Sequence, residues 1–215
     1  MTHPIGRAVR MTAALAVLVG VAWASHATAA TIIDEWSSVS VPPPPEVKPV
    51  TIDRSTTALL MLDFNQQTCN MQRRPRCVAS IPHVKKLLAA ARAAGIPVAF
   101  TLGGGGKPSD LPKELEPAAG EPVTLAGVDK FVDTGLESFL KGKGVKTVIV
   151  VGTAAHGAVL YTASGAAMRG FKVIAPLDGI SADNAYAEQY TAWQLANVPV
   201  LSPAMTLTTL DGVKF

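Results

Sequence analysis

The stretch Val148-Ile-Val-Val-Gly-Thr-Ala-Ala-His-Gly-Ala-Val-Leu-Tyr-Thr-Ala163 decides how this chain is read, because its pattern changes twice within a short span. Val148 to Val151 are β-branched throughout, which suits a parallel strand covered on both faces. Gly152 then lets the backbone turn tightly. The small residues Ala154, Ala155, Gly157 and Ala158 lead into a helix whose first N–H groups lack intrahelical partners. In an α/β protein, ligands bind at this kind of junction, and small residues let them approach the backbone. Close packing of helix on strand accounts for the same residues, and the stretch alone does not separate the two readings.

Working outward, Thr56 to Leu62 is a buried-strand run that ends at Asp63, and Ile96 to Thr101 is a second strand. Between them a helix is expected from about Ser80, with Pro82 in its first turn, Val84, Leu87, Leu88 and Ala91 at helical spacing, and Gly95 as its stop. Gly103 to Gly106 form a loop beyond the second strand. No Lys-Ser or Lys-Thr follows, as a phosphate cradle would need, so the loop reads as a mobile lid or a plain connector. A helix over about Gly135 to Lys143 precedes the strand Lys146 to Val151. The helix Ala158 to Arg169, a strand at Lys172 to Ala175, a helix capped by Asn184 and running through Leu195, and a short strand at Pro199 to Leu201 complete the order. Strands alternating with helices at this spacing predict a three-layer α/β/α sandwich with a mainly parallel, Rossmann-like sheet.

The N-terminus reads differently. Arg7 and Arg10, the apolar run Ala13 to Trp23 and the small residues Ala27 to Ala30 have the three regions of a secretory signal peptide over residues 1–30. The apolar run is too short for a membrane span, so no stable span is expected after cleavage. Residues 31–50 hold Pro42 to Pro45 and Pro49 and read as an extended or disordered arm. The globular domain is assigned to residues 51–215. Without the leader the formal charge falls from +3 to about +1, and no clustered basic face points to a nucleic-acid partner.

The chain has two cysteines, Cys69 and Cys77. In an exported, periplasmic or secreted protein, such a pair reads as a disulfide closing a small loop. The alternative is a free thiol at Cys69 near a site, its pKa lowered by Arg73, Arg74 and Arg76.

From Thr56 to Leu201 the chain resembles the isochorismatase-like, or cysteine hydrolase, superfamily. Three anchors carry the resemblance. They are the strand Leu59-Leu-Met-Leu-Asp63, the Phe-x-x-Thr-x-Leu block at Phe131, Thr134 and Leu136, and the turn Gly152 to Ala163. The resemblance implies a triad of Asp, Lys and Cys acting on a small-molecule substrate, with backbone N–H groups receiving the oxyanion. Asp63 takes the first place. Lys130 is assigned the second, although the family lysine usually lies further upstream, where this chain has Thr124 and Leu125. At the place of the thiol stands Ala158, so the thioester route is closed.

The resemblance further implies a cis peptide at Thr153-Ala154, oxyanion-binding N–H groups at Ala154 and Ala158, and a homo-oligomer. One branch of the superfamily holds a metal through an Asp and histidines. Here only His83 and His156 follow the leader, so no metal and no cofactor are expected. Phenazine-pathway isochorismatases lack the thiol and hydrolyse a vinyl ether by protonation from the Asp, which suggests Asp63 as acid/base with Lys130 as its electrostatic partner. His156 is a second proton carrier or a solvent-facing turn residue. Tyr161, Tyr190 and Trp193 either line the pocket or belong to the core. The competing readings are an exported pseudoenzyme that binds a small ligand and an enzyme that uses Cys69 as a displaced nucleophile.

Overall fold

The computed structural model describes Met1 and residues 30–215. The leader read over residues 1–30 therefore lies, apart from its end residues, outside the described residues. The chain divides into two units, Met1–Val41 and Pro42–Phe215. In the first, α1 (Ile32–Glu35) is a single turn where an extended arm was expected. Asp34 accepts hydrogen bonds from the Thr31 amide at 2.9 Å and the Thr31 hydroxyl at 2.7 Å, which offsets the cost of starting so short a helix.

The second unit runs β1 (Val50–Thr51), β2 (Thr57–Leu62), α2 (Pro75–Ala93), β3 (Val98–Leu102), β4 (Val123–Leu125), α3 (Leu136–Gly142), β5 (Thr147–Thr153), α4 (Leu160–Met168), β6 (Lys172–Pro176), β7 (Ile180–Ser181), α5 (Ala185–Asn197), β8 (Met205–Thr208) and β9 (Val213–Lys214). The main sheet has the order β4-β3-β2-β5-β6-β8, with β7 paired to the end of β5. Every pairing in it is parallel. β1 and β9 form a separate parallel pair.

The alternation of strand side chains sorts the core into two layers. Ala58, Leu60 and Leu62 join Val148 and Val150 against α3, α4 and α5. Leu59 and Met61 join Val98, Phe100, Ile149 and Val151 against Val84, Leu87, Leu88 and Ala91 of α2. This is the expected three-layer α/β/α arrangement.

Three local expectations are corrected. The helix α2 starts at Pro75, a first-turn proline, and therefore contains Cys77; Pro82 lies inside it on the exposed side, where water can satisfy the carbonyl it leaves unpaired. The final strand is not Pro199 to Leu201. Val200 has φ 69° and is 90% exposed, so that segment is a turn, and the chain re-enters the sheet only at β8. Finally, the regular part of α4 begins at Leu160, because Gly157 (φ −118°, ψ −108°) keeps Ala155–Val159 an irregular turn. The strands β4, β7 and β9 were not legible in sequence, being at most three residues long.

Cys69 and Cys77 form a disulfide. This overturns both the free thiol and the displaced nucleophile at Cys69. Both cysteines are buried against Phe64 and α2, so the bridge holds the start of α2 beneath the segment that follows Asp63. The sequence separation of 8 makes a small ring, and loop-closure entropy gives a contribution of about 2.5 kcal/mol. Cys69→Ser/Cys77→Ser is expected to lower stability by about that amount in denaturant titration, and an unchanged midpoint would contradict it.

Candidate active site

The site lies where β2, β3 and β5 end. The Asp63 amide donates to the Thr101 carbonyl at 3.1 Å, continuing the strand ladder, and Asp63 then adopts φ 54°. Left-handed backbone is uncommon outside glycine, with Asp among the residues that tolerate it, and here it turns the carboxylate across the end of the sheet. Oδ1 accepts from Thr101 Oγ1 at 2.8 Å. Oδ2 accepts from Lys130 Nζ at 2.7 Å. The Asp63 and Lys130 side chains are 7% and 1% exposed, so this ion pair is screened little by solvent.

Lys130 is held from several directions. Its amide donates to Thr162 Oγ1 of α4 at 3.2 Å, and its carbonyl accepts from Thr134 Oγ1 at 2.6 Å. Its ammonium also donates to the Ala126 carbonyl at 3.3 Å. The neighbouring Phe131 stacks with Phe171 at a centroid distance of 6.0 Å, and the Arg169 guanidinium lies 4.8 Å above the Phe131 ring. The Phe-x-x-Thr block is thus a socket: Phe131 is driven into the core and Thr134 clamps the lysine backbone. The lysine position next to Phe131 still reaches the aspartate.

The glycine loop packs directly on the site. Gly103 is buried, and a Cβ there would stand 2.6 Å from Asp63 Oδ2. Asn65 pins this loop by donating from Nδ2 to the Gly103 carbonyl at 2.9 Å and accepting the Gly103 amide at 3.1 Å. Burial pushes the Asp63 carboxyl above the ordinary carboxylate range, while Lys130, the Thr101 hydroxyl and Arg74 pull it part of the way back.

On the other side of β2, Gly152 has φ 134°, and a side chain there would collide with the Leu62 backbone. The peptide Thr153-Ala154 is cis, as the resemblance implied. The Ala154 carbonyl accepts from the Gly157 and Val159 amides at 3.0 and 3.2 Å, so the turn folds back on itself. Ala158 is buried, 5% exposed, and presents only a methyl group.

The remaining candidates lie outside this cluster. His156 is exposed and has no hydrogen bond to Asp63 or Lys130. Tyr161, Tyr190 and Trp193 are 54%, 41% and 39% exposed, so none belongs to the core. Tyr161 and Tyr190 line a surface depression of about 340 Å³ with His156 and Tyr186. Among the described residues, no three His, Cys, Asp or Glu side chains converge to hold a metal ion, and no helix is long and apolar enough to cross a membrane.

Sequence reasoning did not single out Thr101, Asn65 or the role of Arg74, and it read Gly103 only as part of a lid or connector. Thr101 had a signal: it is a polar residue closing an apolar strand at the carboxyl edge of a parallel sheet. Arg74 was read as a neighbour of a free thiol. It is instead buried, paired with Asp183 and donating from Nη1 to the Thr68 carbonyl at 2.8 Å, with its charge felt at Asp63.

With this geometry in view, the chain can be set beside known proteins. The isochorismatase domain family matches residues 57–209. The secreted isochorismatase effector Isc1 of Verticillium dahliae is 35% identical over 115 residues, spanning 47% of this chain and 60% of that protein. An isochorismatase family protein from Desulfovibrio vulgaris superposes with a TM-score of 0.65 at 22% identity, covering 74% of this chain and 96% of that one. N-carbamoylsarcosine amidase from Thermoplasma acidophilum gives 0.62 at 21% identity, covering 73% and 97%. At these identities the two solved structures are alike in fold.

Proposed function

The chain belongs to the isochorismatase domain family, and from that premise we propose that it hydrolyses a small-molecule vinyl ether by acid catalysis at Asp63, without a covalent intermediate. One observation carries the reading. A buried carboxylate holds an ammonium at 2.7 Å while a methyl group, Ala158, occupies the place expected for a nucleophile. Amide hydrolysis by the usual route needs an attacking thiolate to form an acyl intermediate. Vinyl ether hydrolysis needs only an acid and water.

In the proposed reaction the protonated Asp63 gives its proton to the terminal vinyl carbon, leaving an oxocarbenium ion. Water adds to that ion and returns a proton to the Asp63 carboxylate. The resulting hemiketal then separates into a ketone and an alcohol, so one water is consumed and no bond to the protein forms. Lys130 keeps a positive charge beside the carboxylate throughout, favouring the form that has released its proton.

The setting we infer is an exported one. The Cys69–Cys77 disulfide and the name of the Verticillium dahliae relative, a secreted effector, support it. We also expect a homo-oligomer, which light scattering after size exclusion reads directly.

The test compares wild type with Ala158→Cys on vinyl ethers, amides and ureides. Wild type is expected to turn over a vinyl ether and no amide, and Ala158→Cys to gain amidase activity. Wild-type hydrolysis of amides would overturn the thiol-free reading. Tight binding without turnover of any substrate would favour the other role open to Ala158, an exported ligand-binding protein of this fold.

A further inference from the structure

We propose that the proton Asp63 delivers is carried on Oδ1, and that Thr101 is the positioning residue that aims this oxygen. The inference rests on the assignment of Asp63 as the acid. Oδ2 is closed from two directions. Lys130 Nζ donates to it at 2.7 Å, and an ammonium has no lone pair with which to accept a proton in return. On another side stands the Gly103 α-carbon, so near that a methyl group added there would lie 2.6 Å from Oδ2. A proton on Oδ2 would have to displace the lysine or point into the glycine.

Oδ1 is different. Among the described residues its hydrogen-bond donor is Thr101 Oγ1, at 2.8 Å, which leaves its second lone pair without a donor. Thr101 is 2% exposed, and Asp63 Oδ1 is the partner of its hydroxyl. The two residues are clasped twice, because the Asp63 amide also donates to the Thr101 carbonyl at 3.1 Å. Strand β3 therefore fixes both the backbone and the carboxyl torsion of the residue that ends β2.

During the reaction the Thr101 hydroxyl keeps its own proton. It donates to Oδ1 before and after that oxygen releases a proton to the substrate, and more strongly once the oxygen is charged. The charged groups facing Asp63 are Lys130, from the segment before α3, and Arg74, from the residue before α2. Strands β3 and β5 present no charged side chain.

The experiment follows the Asp63 carboxyl by 13C NMR in aspartate-labelled protein, which needs no substrate. Thr101→Val removes a donor to the charged form and is expected to raise the titration midpoint by about one pH unit. Thr101→Ser is expected to restore it. Where turnover is measured, Thr101→Val should lower kcat about tenfold with little change in KM. A neutron structure below the midpoint should place deuterium on Oδ1. An unchanged midpoint in folded Thr101→Val, or deuterium on Oδ2, would overturn the proposal. If Thr101→Val does not fold, Thr101→Ala takes its place with the same expected shift. Should Asp63→Asn retain turnover, the assignment of Asp63 as the acid fails, whereas the titration still reports whether Thr101 governs this carboxyl.

Discussion

Asp63→Asn is expected to lower kcat by about 10² to 10⁴-fold, the range that a positioned general acid contributes. The substitution is close to isosteric. The amide oxygen can still accept from Lys130, and the Thr101 hydroxyl can reverse to accept from the amide NH₂. Substrate binding should therefore survive, with KM little changed, while stability falls because the buried Lys130 ammonium loses its counter-charge. Turnover that survives Asp63→Asn would remove the mechanism.

The pH dependence has a defined sign. Burial raises the Asp63 pKa, so the acid form persists above the ordinary carboxylate range and activity should fall as pH rises through the raised value. The same group contributes to stability in the same direction. The folded chain binds this proton more tightly than the unfolded chain, whose reference value is 3.8. Its contribution is thus fully present below 3.8 and is lost as pH rises through the folded pKa.

Lys130→Met should produce the largest change in stability. It leaves the Asp63 carboxylate buried and uncompensated, and breaking one side of a buried ion pair costs about 3 to 5 kcal/mol. Denaturant titration at neutral pH measures this directly. The loss is expected to shrink as pH falls, because protonated Asp63 no longer needs a counter-charge. The double variant Lys130→Met/Asp63→Asn should recover much of it. An equal loss at neutral and acidic pH would show that the lysine stem, and not its charge, is what the fold requires.

The alternation of β-branched strands with helices was enough to place Asp63 and the Gly152 turn at the carboxyl edge of a parallel sheet. The two cysteines suggested a disulfide but left a free thiol at Cys69 open until the structure paired them. Short elements escaped for a physical reason. A strand of two or three residues such as β4 or β7 has no periodicity of its own and exists only because a neighbouring strand offers it partners. The same holds for Pro199 to Leu201, whose composition suits a strand and whose place in space is a turn.

With the place of the thiol at Ala158 implied by resemblance, the sequence by itself determined the layers, the order of the long elements and the aspartate at the end of the first long strand. These are properties of residue type and spacing along the chain. The tertiary structure decided that Lys130 reaches Asp63, that Thr101 and Lys130 divide its two oxygens, that the glycine loop closes over it, and that the tyrosines face solvent. Each of these depends on residues 38 to 67 positions apart meeting within hydrogen-bond distance, or on which face of a helix is left uncovered. The turn from Gly152 to Ala163 by itself allowed a site or plain packing, and the packing of β2, β3 and the Phe131 block is what sets the buried Asp63 carboxylate and Lys130 at the neighbouring strand end.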